Sequence, residues 1–283
     1  MQRSGRPACG VLLTIIVVMG TNLQTQGQEL VKSKDGTGVV GYKDTPILPW
    51  TKYHKHDPDR PQSPVVVPGR PSTQDQVGTA PSDAIVLFDG RDLLQWQPNE
   101  WKLENGEVIA TKGDLETKQS FGDCQLHLEW QAPDPPRGPQ MNRGNSGVFL
   151  MKRYEVQICD AYTEKIYPDG MAAAIYGETP PLVNATLPPG KWQTYDIIFT
   201  APLFQEGQLV KRAAVTMFHN GLLVHHNTEI MGPCAWREIK PHEPHPAKEP
   251  LYLQAHGNPV RFRNIWIRPL DNGDKKSPNA PAR

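Results

Sequence analysis

The sequence has no excess of either charge: 30 Lys and Arg balance 30 Asp and Glu over 283 residues. A neutral chain gives no electrostatic reason to expect nucleic acid or an acidic membrane surface as a partner. Cysteine is scarce. Cys9, Cys124, Cys159 and Cys234 are all there is, and no two form a Cys-x-x-Cys pair, which argues against a cysteine-based zinc site. If an N-terminal leader carrying Cys9 is removed, the three that remain are an odd number and cannot form a complete disulfide framework. No long helical period and no internal repeat is visible, and the apolar run Val11–Met19 is too short to span a bilayer comfortably. What is abundant is Gly (24) and Pro (29), together 53 of 283 residues or about 19%, against a usual ~12%. Both break helices and punctuate turns, so they favour short strands joined by many loops.

The N-terminus reads as an export signal over residues 1–27. Arg3 and Arg6 precede the apolar run, and Thr25-Gln26-Gly27 offers small residues at a cleavage point. The expected location is therefore extracytoplasmic, periplasmic or secreted. An uncleaved N-terminus would instead act as a membrane tether. Residues 28–82 are expected to form an extended, Pro-rich stalk without regular secondary structure. They carry Pro46, Pro49, Pro58, Pro61, Pro64, Pro68, Pro71 and Pro81 with few periodic apolar positions. Residues 271–283 are expected to be a disordered tail.

Between them, residues 83–270 change in texture. Ile85–Phe88 runs into Asp89-Gly90, and Asn105-Gly106 marks a hairpin before Glu107–Thr111. Cys124–Trp130 alternates, with Cys124, Leu126, Leu128 and Trp130 on one face and Gln125, His127 and Glu129 on the other. Further strands are expected at Gly147–Met151, Tyr154–Cys159, Trp192–Thr200, Ala213–Phe218, Leu222–His225, Leu251–Ala255 and Val260–Pro269. Phe204–Arg212 reads as an enlarged loop and Pro233–Pro250 as a long Pro-rich one, of the kind that often forms a functional rim. Many short strands separated by turn signals predict an all-β domain, a two-sheet antiparallel sandwich. A neutral surface with 7 Trp and 8 Tyr leans towards polar sugars as ligands.

Two segments carry candidate chemistry. In Tyr154–Asp160, Val156 and Ile158 face one way while Glu155, Gln157 and Cys159 face the other. Side chains two apart on a strand lie roughly 6.5–7 Å apart, about the span of a sugar ring. Asp160 joins them only if a bulge re-aims it; otherwise these are the solvated face of an ordinary amphipathic strand. In Tyr252–Gly257, Tyr252, Gln254 and His256 share a face, and a His at a strand end can serve as base or metal ligand, or simply as a bonded surface residue. Arg263 sits among apolar neighbours on the last strand and needs a carboxylate, for which Glu155 or Asp160 would serve.

Leu87-Phe88-Asp89-Gly90, Asn145–Leu150, Tyr154-Glu155-Val156-Gln157, Leu253–Gly257 and Phe262–Ile265 occur in that order. From about Ala84 to Leu270 the chain resembles the bacterial 3-keto-disaccharide hydrolases. The resemblance implies a jelly-roll, concanavalin-like sandwich with a glycoside or keto-sugar on a concave sheet face. It also implies an enzyme of the 3-keto-glycoside hydrolase or lyase type: a base takes the C2 hydrogen acidified by the C3 ketone, the enolate expels the C1 substituent, and water adds back. In that scheme Glu155, His256 and Asp160 are the catalytic candidates, while Asn145, Gln157, Gln254 and Arg263 hold the ketone or hydroxyls. The resemblance fixes no cofactor, and a divalent metal at the enolate oxygen is left open beside a hydrogen bond or an Arg. Ala255 and Cys159 depart from the family's usual residues. Two other functions compete: a non-catalytic sugar-binding or cell-surface module on the same fold, and a retaining glucanase. For the latter, Glu155-x-Gln157-x-x-Asp160 departs from the Glu-x-Asp-x-x-Glu motif, since Gln157 cannot ionise and Asp160 is a methylene short.

Overall fold

The computed structural model describes residues 29–270; the expected signal segment 1–27 and tail 271–283 lie outside them. The chain divides at residue 62 into two units. In the first, β1 (Val31–Lys32) and β2 (Val40–Gly41) form a short antiparallel ladder, and Lys43 pairs with Asp59 and Asp57. Short ladders therefore do occur in a stretch expected to have no regular structure. Beyond an isolated bridge between Ile47 and His54 the rest of this unit has no ladder, in keeping with Pro46, Pro49, Pro58 and Pro61, which withhold donors.

The second unit begins at Ser63. Its strands are β3 (Ile85–Phe88), β4 (Lys102–Glu104), β5 (Glu107–Ile109), β6 (Leu115–Phe121), β7 (Cys124–Gln131), β8 (Ser146–Leu150) and β9 (Tyr154–Ile158). There follow β10 (Trp192–Thr200), β11 (Leu203–Gln205), β12 (Gln208–Lys211), β13 (Ala214–His219), β14 (Leu222–Glu229), β15 (Glu249–Leu253) and β16 (Arg261–Pro269). An eight-stranded sheet runs β14-β13-β10-β7-β16-β5-β4, with β3 also on β16, and a four-stranded sheet runs β6-β15-β8-β9. All of their pairings are antiparallel. This is the expected all-β, jelly-roll sandwich. The segment Phe204–Arg212 is a hairpin, β11–β12, and not a plain loop.

The core lies between the sheets because alternation points one face of each strand inward. Leu126, Leu128 and Trp130 from β7 meet Val148, Val156, Ile158 and Leu253 from the smaller sheet, all at 0–1% exposure. Each such side chain contributes roughly 1.5–3 kcal/mol by leaving water. The Tyr195 hydroxyl crosses the core to donate to the Gln157 carbonyl at 2.8 Å, tying β10 to β9.

The outer face of the large sheet is polar and would be solvated if nothing covered it. A strap from Arg70 to Thr79, closed on itself by backbone bonds of 3.1 and 3.0 Å, lies across it. Beneath the strap Glu129 is fully buried; it accepts from Arg263 Nε and Asn264 Nδ2, both at 2.7 Å, and from the Ser72 hydroxyl. Arg263 donates onward to the Thr73 carbonyl at 2.6 Å, and the Gln74 amide pairs with the Trp192 backbone through two bonds of 2.9 Å. Asn264, at φ 48°, forms the bulge that turns Arg263 and Asn264 together onto Glu129.

Candidate functional site

The face of the small sheet turned away from the core carries a cavity of about 510 Å³. Its floor follows from strand parity. With Val156 and Ile158 in the core, Glu155 and Gln157 of β9 must point outward, and with Leu253 in the core so must Gln254. β8 pairs with β9 so that Phe149 faces Glu155 and Gly147 faces Gln157. Backbone bonding of the Gln254 N–H to the Gly147 carbonyl at 2.9 Å, with the Ser146 hydroxyl on the Gln254 carbonyl at 2.7 Å, brings the segment after β15 to the same place. Glu155, Gln157, Gln254, His256 and Asn145 thus line one cavity although the sequence separates them by about a hundred residues.

Glu155 sits where a carboxylate is least comfortable. It is 6% exposed and, among the described residues, has no cationic partner; its Oε2 accepts from the Cys234 thiol at 2.8 Å. Burial pushes its pKa up to about 7, opposed by the thiol's hydrogen bond and helped slightly by the charge of Asp114. The same burial, together with Glu155, holds the Cys234 thiol well above its ordinary range and therefore protonated. Gly147 makes this arrangement sterically possible, because a Cβ there would overlap Glu155 Oε1. Gln157 is anchored through Nε2, which lies 2.9 Å from Asn145 Oδ1 and from the Ser146 carbonyl and 2.8 Å from the Ile158 carbonyl. Among the described residues no side-chain hydrogen bond is found for Gln254 or His256, so both are available to a ligand.

Aromatic side chains build the walls. Residues 173–176 run beside β9, bonded at Gln157 N to Ala174 O and at Tyr176 N to Glu155 O, which seats Tyr176 next to the carboxyl. Its hydroxyl meets that of Tyr167 at 3.1 Å. Trp236 comes from the long loop after β14, whose neighbour Cys234 is fixed by a 2.7 Å bond from its N–H to the Arg153 carbonyl. Tyr167, Tyr176, Cys234 and Trp236 escaped sequence reasoning because loops have no periodicity. The one signal for them is the length of the Pro-rich loop Pro233–Pro250, expected as a functional rim.

Two expected site residues lie elsewhere. Asp160 is 1% exposed and binds Arg143, with Nε to Oδ2 at 2.5 Å; no bulge re-aims it into the cavity. It clamps the loop bearing Asn145 instead. Arg263 does find a carboxylate, but that carboxylate is Glu129 under the strap on the other sheet, not Glu155 or Asp160. Cys159 also leaves the pocket-facing row, since β9 ends at Ile158 and the thiol turns into the core. Glu155 is left as the only carboxylate among the described residues lining the cavity. For the metal left open above, the lining offers one carboxylate, one thiol and one imidazole. Among the described residues no three His, Cys, Asp or Glu side chains converge as a ligand set. Among the described residues, Cys159 and Cys234 are free thiols.

Fold and cavity together define a β-sandwich protein with a polar-floored cavity on the outer face of its smaller sheet. A family profile described as the 3-keto-alpha-glucoside-1,2-lyase-like domain matches residues 83–268, and the chain belongs to that family. It is thereby a carbohydrate-active protein of the glycosyl-hydrolase-like kind. A crystal structure from Parabacteroides distasonis ATCC 8503, provisionally assigned as a glycosyl hydrolase, is 41% identical; the match covers 77% of this chain and 97% of that one, at a TM-score of 0.72. Two further structures from the same organism, with the same provisional assignment, are 19% and 23% identical. They cover 67% and 66% of this chain and 94% and 99% of their own, with TM-scores of 0.49 and 0.48. No curated protein matches the chain.

Proposed function

We propose that the protein cleaves 3-keto-glycosides by removing the C2 hydrogen, with Glu155 as the base. The observation that carries this is the single buried carboxyl, without a cation, whose pKa of about 7 puts it near the operating pH of a general base. Glu155 takes the proton from C2, and the electrons of that bond enter the C2–C3 enolate. The C1–O bond then breaks, a C1–C2 double bond forms and the ketone returns. The neutral acid left on Glu155 supplies the leaving oxygen's proton. Water then adds across the double bond, its oxygen to C1 and a proton to C2, so the sum is hydrolysis with no redox change. His256 and Gln254, for which no side-chain hydrogen bond is found among the described residues, provide donors for the oxygen that gains charge in the enolate. A retaining glucanase needs a second carboxyl about 5–5.5 Å from the first; with Asp160 held by Arg143, the lining offers none.

The test is incubation in D₂O with methyl 3-keto-glucoside beside methyl glucoside, followed by mass spectrometry. Exchange at C2 and release of methanol should appear with the keto-sugar alone, and should vanish in Glu155→Gln and fall steeply in His256→Ala. Binding of both sugars without exchange would overturn the catalytic reading in favour of a sugar-binding module. Export through residues 1–27 is part of the same proposal; N-terminal sequencing of the secreted or periplasmic protein should begin near Gln28.

A further inference from the structure

A second cavity, of about 440 Å³, adjoins the first. The two share Tyr167, Tyr176, Ala235 and Trp236, so one aromatic wall borders both. Each volume lies in the range of small-molecule sites, ~300–1,000 Å³. Their chemistry differs. The first has Glu155, Gln157, Asn145 and Gln254 on its floor, groups that suit a ring bearing hydroxyls. The second has Ile239, Gly177 and the shared rings, with Asp169, Arg237 and Glu238 among its charges. Those charges are of mixed sign and select for no ionic ligand. Trp236 is 70% exposed and Ile239 98%, an unusual amount of apolar surface to leave beside a pocket, and Arg237 stacks over the Trp236 ring at 5.4 Å.

We infer that the second cavity receives the leaving group, and that the substrates it fits best carry a planar, largely apolar aglycone such as an aromatic alcohol. This rests on the reaction proposed above. With the sugar over Glu155, its C1 substituent must leave the first cavity, and the shared aromatic wall leads into the second. The paired hydroxyls of Tyr167 and Tyr176 border both cavities, so the C1–O bond passes beside them. A flat ring lying against Trp236 and Ile239 covers apolar surface that a methyl group or a second sugar would leave wet.

The test compares kcat/KM for phenyl and methyl 3-keto-glucosides in wild type, Ile239→Asp and Trp236→Ala. Taking the change in the ratio on substitution cancels the intrinsic difference between the leaving groups. Ile239→Asp should lower the phenyl value about tenfold while the methyl value stays within twofold, and Trp236→Ala should lower the ratio further. Ile239 is 98% exposed, so its substitution leaves the core packing untouched. A ratio unchanged in both variants, with methyl turnover intact in Ile239→Asp, overturns the inference and leaves the reaction standing. If neither keto-sugar reacts, phenyl and methyl 1-thioglucosides decide by calorimetry. Tighter phenyl binding that Ile239→Asp abolishes keeps the second cavity and rejects the reaction; equal binding rejects both.

Discussion

Glu155→Gln preserves the shape of the side chain while removing its charge, and its effect on stability should depend on pH. In the unfolded chain the carboxyl titrates near its ordinary value of 4.5; in the folded protein burial raises this to about 7. A raised carboxyl pKa means that the folded state holds the proton more tightly. The stability this group contributes is complete below 4.5 and is lost as pH rises towards 7, because the unfolded chain releases the proton first. At about 1.4 kcal/mol per unit, the rise from 4.5 to about 7 is worth about 3 kcal/mol. The neutral amide of the variant carries no such penalty. Glu155→Gln should therefore match wild type near pH 4.5 and exceed it by about 3 kcal/mol at pH 8, or roughly 6–12 °C in Tm for a domain of this size. Urea unfolding of both proteins from pH 4.5 to 8 measures the difference directly. A gap that stays flat across that range, or that favours wild type at pH 8, would refute the claim that Glu155 is a desolvated, unpaired carboxyl, and the reasoning for its role as base with it.

Cys234→Ala removes the hydrogen bond that lowers the Glu155 pKa, so the rising limb of kcat/KM against pH should move to higher pH, while Cys234→Ser, which keeps a donor, should leave it nearly in place. Gly147→Ala drives a methyl group into Glu155 Oε1 and should depress C2 exchange at least tenfold with the circular dichroism spectrum unchanged. A chain starting at residue 63 should unfold at the same urea midpoint as the sandwich of the full chain. One starting at residue 84 should lose at least about 2 kcal/mol, because Glu129 and Arg263 are stripped of Ser72 and Thr73; limited proteolysis should accordingly stop near Ser63.

The fold was legible because a sandwich advertises itself by period two: β3, β10 and the alternating β7 lie where the sequence places them. β6 was missed because Leu115–Phe121 mixes Glu, Lys, Gln and Ser on a partly exposed sheet edge, where burial imposes little pattern. The floor of the site was legible by the same parity, since fixing Val156 and Ile158 in the core fixes Glu155 and Gln157 outside it. Asp160 and Arg263 were misplaced where parity stops applying, one beyond the end of β9 and the other beside the Asn264 bulge. The strap falls within the expected stalk because its attachment uses single side chains, Ser72 and Gln74, and two carbonyls, none of which leaves a hydrophobic signature.

The segment at residues 173–176 also bears on how this protein can change. β9 is the last strand of the small sheet, and its outer edge is occupied by that segment through the bonds at Gln157 and Tyr176. The stretch that carries Tyr176 to the pocket is therefore also the cover on a row of backbone groups that would otherwise recruit another chain. Substitutions of Tyr176 itself leave the cover in place, so the pocket can acquire new substrates by exchanging that side chain. Insertions or deletions within 173–176 would uncover the strand. Diversification at this wall is thus open to point mutation and closed to changes of loop length, and variants of the second kind should be found in the insoluble fraction before their activity can be measured.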